Sequence, residues 1–249
     1  MADVAPARPD LTGSGTPEAE WTPWLDVEPL PAADWGSPRR LVVVAPHPDD
    51  EVLALGGSVA MLRRDGWDVG VVAVTDGEAS HPGSTRVDRA SLAATRREES
   101  IAALAEIGVP ATAIDRLGLP DGGVADHEHA LADALVERLG PDDLVAVPHR
   151  RDGHPDHEAA ARAGLRAVEA VGADVVEYPV WLWHWTAPGS PLWTSARLHR
   201  LDPAAQLAKA RAISAFASQI HPHGPDPADQ PILPAAILAR FQRTVEVVL

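Results

Sequence analysis

The chain has 249 residues, 45% of them hydrophobic, with a formal charge of −15, a pI near 5.0 and no cysteine. The length suits one large α/β domain or two small ones, and the apolar fraction excludes a disordered chain. So acidic a surface repels phosphate backbones and anionic lipid, which argues against nucleic acid or a membrane as the main partner, and a chain without cysteine excludes disulfides, thiolate nucleophiles and thiolate metal ligands.

Residues 1–38 hold seven prolines without helical periodicity and read as an extended lead-in. Its first dozen residues are expected to be mobile. The part bearing Trp21, Trp24 and Trp35 is expected to strap onto a domain formed by residues 39–249, because indoles seldom sit idle in solvent. The opening MADVAPARPDLTG has neither a basic start nor an apolar core, and no apolar run approaches the ~18 residues of a membrane span. A cytoplasmic location is expected on those grounds.

Regular structure is predicted from Leu41. The run LVVVA (41–45) is a strand buried on both faces, and LGGSVAMLRRDG (55–66) is a helix closed by Gly66. A second strand spans 68–75, a polar loop 76–87, and an amphipathic helix 91–109. Further strands are predicted at 112–119, 143–148 and 174–183, and further helices at 129–140 and 155–172. Residues 195–201 add a possible strand, 202–220 a helix, and 221–234, with five prolines, a loop. Alternation of strand and helix over short links predicts an α/β fold: one doubly wound, mostly parallel, Rossmann-like sheet flanked by helices. The order of its strands is not legible.

Two constellations carry chemistry. PHPDDE, Pro46 to Glu51, follows the first buried strand and therefore lies at the carboxyl edge of the sheet, where ligands bind. Three adjacent carboxylates repel one another unless a cation or hydrogen-bond donors compensate. A solvated acidic loop that caps the next helix is the bland alternative. RRDGHPDHE, Arg150 to Glu158, follows the strand 143–148 at the same edge. Pro155 suits a helix start, which sets His154 and His157 on one side of the first turn. Here the bland alternative is that Asp152, His154 and Asp156 only cap that helix. Both motifs at one edge favour a metal site built from His and carboxylate, with a position left open as in hydrolytic zinc centres.

PHPDDE followed by GHPDH, with RREE (96–99), LGLPDG (117–122) and KARAISAFASQ (209–219), resembles the PIG-L/LmbE-like family of zinc-dependent N-acetylglucosaminyl deacetylases over roughly residues 40–220. The resemblance implies that His47, Asp50 and His157 bind one Zn2+, or another divalent metal in its place. It implies Asp49 as general base and a protonated His154 as oxyanion partner or acid. Arg96 and Asp121 would meet substrate hydroxyls, while Asp156 and Glu51 are expected just outside the ligands. The implied reaction removes the acetyl group from an N-acetylated amino sugar or its small-molecule conjugate. An amidase acting on a thiol-sugar conjugate keeps the chemistry and changes the substrate. A non-catalytic sugar-binding protein and a Mg2+- or Mn2+-dependent phosphatase or nuclease are the readings from other classes. Self-association into a homo-oligomer stays open.

Other residues read more plainly. His81, His127, His129 and His149 lie in or beside loops and fit the surface, with lining of the cleft as the alternative, foremost for His149 at the end of the fourth strand. His221 and His223 fit a solvated proline-rich loop. Trp181, Trp183 and Trp185 alternate with period two and fit the packed face of a strand, with a sugar-stacking platform as the alternative. Gly56-Gly57 lacks dinucleotide-site spacing.

Overall fold

The structure is a computed structural model that describes residues 9–249 apart from 12, 29 and 38. In chain order the principal elements are α1 (Glu18–Val27), β1 (Arg40–Ala45), α2 (Asp50–Arg64), β2 (Asp68–Thr75) and α3 (Arg89–Glu106). They continue as β3 (Ile114–Leu119), α4 (Glu128–Val136), β4 (Leu144–Pro148), α5 (Pro155–Val171), β5 (Asp174–Tyr178) and α6 (Leu182–Trp185). The chain ends through β6 (Arg197–Arg200), α7 (Pro203–Ser214), α8 (Ala217–Ile220), α9 (Ala235–Leu238) and β7 (Val245–Val248).

Five strands form a parallel sheet in the order β3-β2-β1-β4-β5. The β-branched run of β1 alternates between two cores. Leu41, Val43 and Ala45 pack with α2 and α7 residues, and Val42 and Val44 pack with α4 and α5. A strand buried on both faces shows no polar alternation, which is why LVVVA reads as a continuous run. The strand order reverses direction between β1 and β4. In such a sheet the two connections leave their strands on opposite sides and open a crevice between them at the carboxyl ends. The residues after Ala45 and after Pro148 flank that crevice.

Several boundaries differ from the sequence reading. α2 starts at Asp50 rather than 55, because the acidic motif itself forms the first turn and carboxylates there favour the helix dipole. The helix 202–220 is broken at Ala215–Phe216 into α7 and α8. β5 ends at Tyr178, so Trp181, Trp183 and Trp185 do not line a strand face; they belong to a turn and the short α6. The lead-in contains a helix, α1, with Pro23 inside it. Trp21 is fully buried, donates from Nε1 to the Trp183 carbonyl at 3.1 Å, and meets Trp183 and Trp193 edge-on. That indole cluster, rather than periodicity, holds α1. The expected mobility of the first dozen residues falls mostly on positions outside those described. Residues 195–201 do yield a strand, β6, paired antiparallel with β7. Gly57 has a packing reason: a Cβ there would lie 2.4 Å from Leu201 Cδ1. Among the described residues no helix is long and apolar enough to cross a membrane.

Candidate metal centre and active site

The first motif leaves β1 as a turn that is strained at one place. Asp49, the N-cap of α2, has φ 139°, the one positive φ at a non-glycine among the described residues. Such a backbone costs of order 1–3 kcal/mol and persists only where its surroundings impose it. Here they do. Arg96 donates from Nη2 to the Pro48 carbonyl at 2.7 Å and to Asp49 Oδ2 at 2.9 Å, and from Nη1 to the Gly77 carbonyl at 2.8 Å. The buried guanidinium thus pins the turn and aims the Asp49 carboxylate into the cleft. Asp50 is fixed in turn by the His47 backbone N–H, which donates to Oδ2 at 2.9 Å.

The second motif leaves β4 and enters α5 with Pro155 in its first turn. The His154 Nδ1 accepts the Asp156 backbone N–H at 3.3 Å, capping the helix. One helical turn turns His157 inward, where it is wholly buried.

Across the crevice three atoms meet. His47 Nδ1 lies 3.1 Å from His157 Nε2 and 3.3 Å from Asp50 Oδ2, and His157 Nε2 lies 3.2 Å from Asp50 Oδ2. Tetrahedral ligands at zinc's usual bond lengths stand about 3.3 Å apart. The outward ring nitrogens of both histidines face carboxylates. His157 Nδ1 donates to Asp152 Oδ2 at 2.8 Å, while His47 Nε2 is 3.2 Å from Asp121 Oδ1 and 3.4 Å from Asp156 Oδ2. A proton held there leaves the inward nitrogen's lone pair free, which is how carboxylates prepare imidazoles for a metal.

The charges point the same way. Asp49, Asp50, Glu51, Asp121, Asp152 and Asp156 surround this point, and Arg96 is the cation set among them. Burial disfavours protonation of His47, but the carboxylates of Asp121, Asp156 and Asp50 outweigh it and raise the ring well above its ordinary value. His157 likewise rises to about 9 because Asp50 and Asp152 overcome its burial. Asp50, despite burial, is held far below the usual carboxylate range by His157 and His47. The cluster attracts positive charge, and its hard and borderline donors suit a divalent cation. His47, His154 and His157 form one group able to hold such an ion, and His47, Asp121 and Asp156 another.

The remaining candidate residues divide by what they touch. Burial, opposed by Arg96, raises Asp49 to about 7. Burial and the neighbouring His157 and His47 lower His154 to about 3, a direction opposite to the protonated ring that the resemblance implies. Because Nδ1 accepts a backbone N–H, the neutral ring carries its proton on Nε2, which makes that atom a donor toward the cleft. Asp121 lines the cleft, with Oδ2 accepting the Ala79 N–H at 2.7 Å. Arg96 lines it too, but its two terminal nitrogens are engaged as described. Asp156 accepts the Gly122 N–H at 2.7 Å and the Val124 N–H at 3.2 Å, holding the LPDG turn against His47. Glu51 touches no imidazole. Its Oε2 accepts the Asp49 N–H at 3.2 Å, and burial raises it to about 8.

Sequence reasoning undervalued Asp152, which it gave only a capping role. The wholly buried carboxylate accepts from Val180 N (2.9 Å), Trp181 N (2.9 Å) and Leu182 N (3.0 Å) besides His157. Its place in a His/Asp-rich motif was the available signal. The cleft, of about 320 Å³, is further lined by Ser80, Gln219, Trp181 and Leu233. His149 is buried rather than at the surface, and His81 packs against His223 at 4.6 Å between ring centroids.

The family description PIG-L, GlcNAc-PI de-N-acetylase, matches residues 42–168, which include both motifs. The chain belongs to the PIG-L family. A 1D-myo-inositol 2-acetamido-2-deoxy-alpha-D-glucopyranoside deacetylase of Mycobacteroides abscessus is 31% identical over 211 residues, covering 73% of this chain and 72% of the relative. An enzyme of the same description from Catenulispora acidiphila is 31% identical over 170 residues, covering 57% and 51%. The chain therefore spans about half to seven tenths of the length of these curated relatives. A crystal structure of a deacetylase of the teicoplanin biosynthesis pathway shares the fold of this PIG-L chain, with TM-score 0.60 and 24% identity over 73% of this chain and 85% of that one.

Proposed function

We propose that this protein is a divalent-metal amide hydrolase that removes the acetyl group from an N-acetylglucosamine conjugate. The observation that carries the reading is the meeting of His47 Nδ1, Asp50 Oδ2 and His157 Nε2 within 3.1–3.3 Å of one another beside the Asp49 carboxylate. Family membership supports it, as do the acetamido-sugar deacetylases among the relatives. Zinc is the ion we assign, because two imidazoles and one carboxylate with an open position match its hydrolytic sites.

When bound, the ion would lower the pKa of a water and polarise the acetamide carbonyl. Asp49, with an ordinary carboxylate raised towards neutrality, accepts the proton of the attacking water; a base is most effective when poised near the working pH. His154 Nε2–H donates to the oxygen on which negative charge develops, a contribution of about 3 kcal/mol in comparable sites. Asp49 then returns its proton to the departing nitrogen as the C–N bond breaks, so that water is consumed and acetate and a free amine are released. Arg96 is a positioning residue in this scheme, holding Asp49 in its strained turn. Asp121 and Asp156 orient His47, and Asp152 orients His157. The substrate is a small N-acetylated sugar.

The test is acetate release from a panel of N-acetylglucosamine conjugates by protein loaded with one equivalent of zinc. Chelation should abolish turnover and zinc should restore it. Asp49→Asn should keep the ion and lose at least about a hundredfold in kcat. No release from any conjugate by fully loaded protein would remove the proposal.

A further inference from the structure

The cleft lining divides by chemistry in a way that bears on what the sugar is attached to. Ser80 and Gln219 supply neutral polar groups: Gln219 Nε2 donates to Ser80 Oγ at 3.3 Å and to Ser218 Oγ at 3.0 Å, and Ser218 is held by Glu99 at 2.7 Å. The apolar part is Leu53, Val180, Trp181, Ile232 and Leu233. The half-buried indole of Trp181 lies nearly parallel to the His154 imidazole, at 25° and 6.5 Å between centroids. The ring packs edge-on against His184 at 5.6 Å between centroids, and the Trp181 backbone N–H is bound by Asp152, the carboxylate that also holds His157.

Charge narrows the choice further. Among the described lining residues Arg96 is the sole Lys or Arg, and it is buried and paired with Asp49 at 2.9 Å. Burial disfavours the charged form of His154. On the loop and helix start beside the cleft, Arg86 is paired with Asp229 at 3.2 Å and Arg89 with Glu78 at 3.4 Å. An anionic group entering beyond the sugar would meet Asp121, and among the described lining residues no cation other than the paired Arg96 offsets it.

We propose that the cleft selects N-acetylglucosaminides whose aglycone is uncharged and apolar and lies against Trp181 and Leu233, and that it disfavours aglycones carrying a carboxylate or phosphate. The inference rests on the deacetylase reading and adds the substrate class to it. Burying even two methylene groups against such a wall is worth about a tenfold preference.

The experiment compares methyl, hexyl and carboxypentyl N-acetylglucosaminides on the zinc-loaded protein, by kcat/KM and by calorimetric titration. The hexyl glycoside should exceed the methyl one by about tenfold, and the carboxypentyl glycoside should fall to the methyl level or below. In Trp181→Ala the hexyl-to-methyl ratio should drop below about threefold, and Trp181→Phe should restore most of it. Equal rates for hexyl and carboxypentyl glycosides, or a hexyl-to-methyl ratio that survives Trp181→Ala, would overturn the proposal. If none of the three releases acetate, the deacetylase reading fails instead, and the titration still reads the same ratios without turnover.

Discussion

Replacing Asp152 by Asn gives the sharpest test of how the metal centre is held. The native carboxylate accepts four hydrogen bonds at 2.8–3.0 Å while fully buried. An amide of the same shape keeps one acceptor oxygen. With that oxygen on Val180 and Leu182, the amide nitrogen confronts two N–H donors, His157 Nδ1 and Trp181 N. Losing two bonds to a charged acceptor, at about 1.5–3 kcal/mol each, predicts a destabilisation of about 3–6 kcal/mol. The His157 ring can relieve the clash by moving its proton to Nε2, but Nε2 is the atom that faces Asp50 at 3.2 Å. A protonated Nε2 has no lone pair for a cation. Changes just outside the ligands commonly cost about 10–100-fold in metal affinity, and this tautomer change argues for the upper end. Competition of the apo-protein with a chromophoric chelator for zinc measures the affinity, and urea unfolding of the apo form measures the stability. A folded Asp152→Asn protein that binds zinc as tightly as the wild type would refute the reasoning.

Gly77→Ala should act at a distance on Asp49. A Cβ there would stand 1.9 Å from Arg96 Nη1 with φ at +66°, so the guanidinium must leave; kcat should fall with zinc still bound, and unfolding should come about 2 kcal/mol sooner, as read by activity and urea titration. Metal removal should lower the unfolding midpoint. At free zinc a hundredfold above its dissociation constant the loaded protein gains about 2.7 kcal/mol, and a midpoint indifferent to chelator would argue against a resident ion. Burial lowers the pKa of His199 and of His149. Above about pH 6.5 both folded and unfolded forms are neutral. Below it the unfolded chain binds more protons, so stability falls with acidification until the folded-state values are reached. His199→Asn should flatten that slope in urea titrations across this range, and an unchanged slope would rule His199 out as its source.

Much of the centre was legible because it is local. The motif PHPDDE places His47, Asp49 and Asp50 within one turn after a buried strand, and GHPDH places His154 and His157 one helical turn apart after another. Strand β2 (Asp68–Thr75) matched its predicted span residue for residue, since a β-branched run between a glycine and a polar loop leaves little latitude. Helix α1 was missed because Pro17 and Pro23 mask its periodicity, and the Trp181–Trp185 stretch was misread because alternation of large residues does not distinguish a strand from a turn feeding one short helix.

What the sequence by itself determined is the chemistry on offer: two His/Asp clusters, each behind a strand of a parallel sheet, in a chain without thiolates. Local pattern says which faces of an element are buried, but not which elements are neighbours. Only the tertiary structure decided that β1 and β4 lie side by side where the sheet reverses, so that His47 and His157, 110 residues apart, come within 3.1 Å. It also decided the role of Asp152, whose partners at Val180–Leu182 arrive from beyond the next strand. The direction in which His154 shifts was decided in the same way, because burial beside two other imidazoles disfavours its charged form whatever its motif suggests.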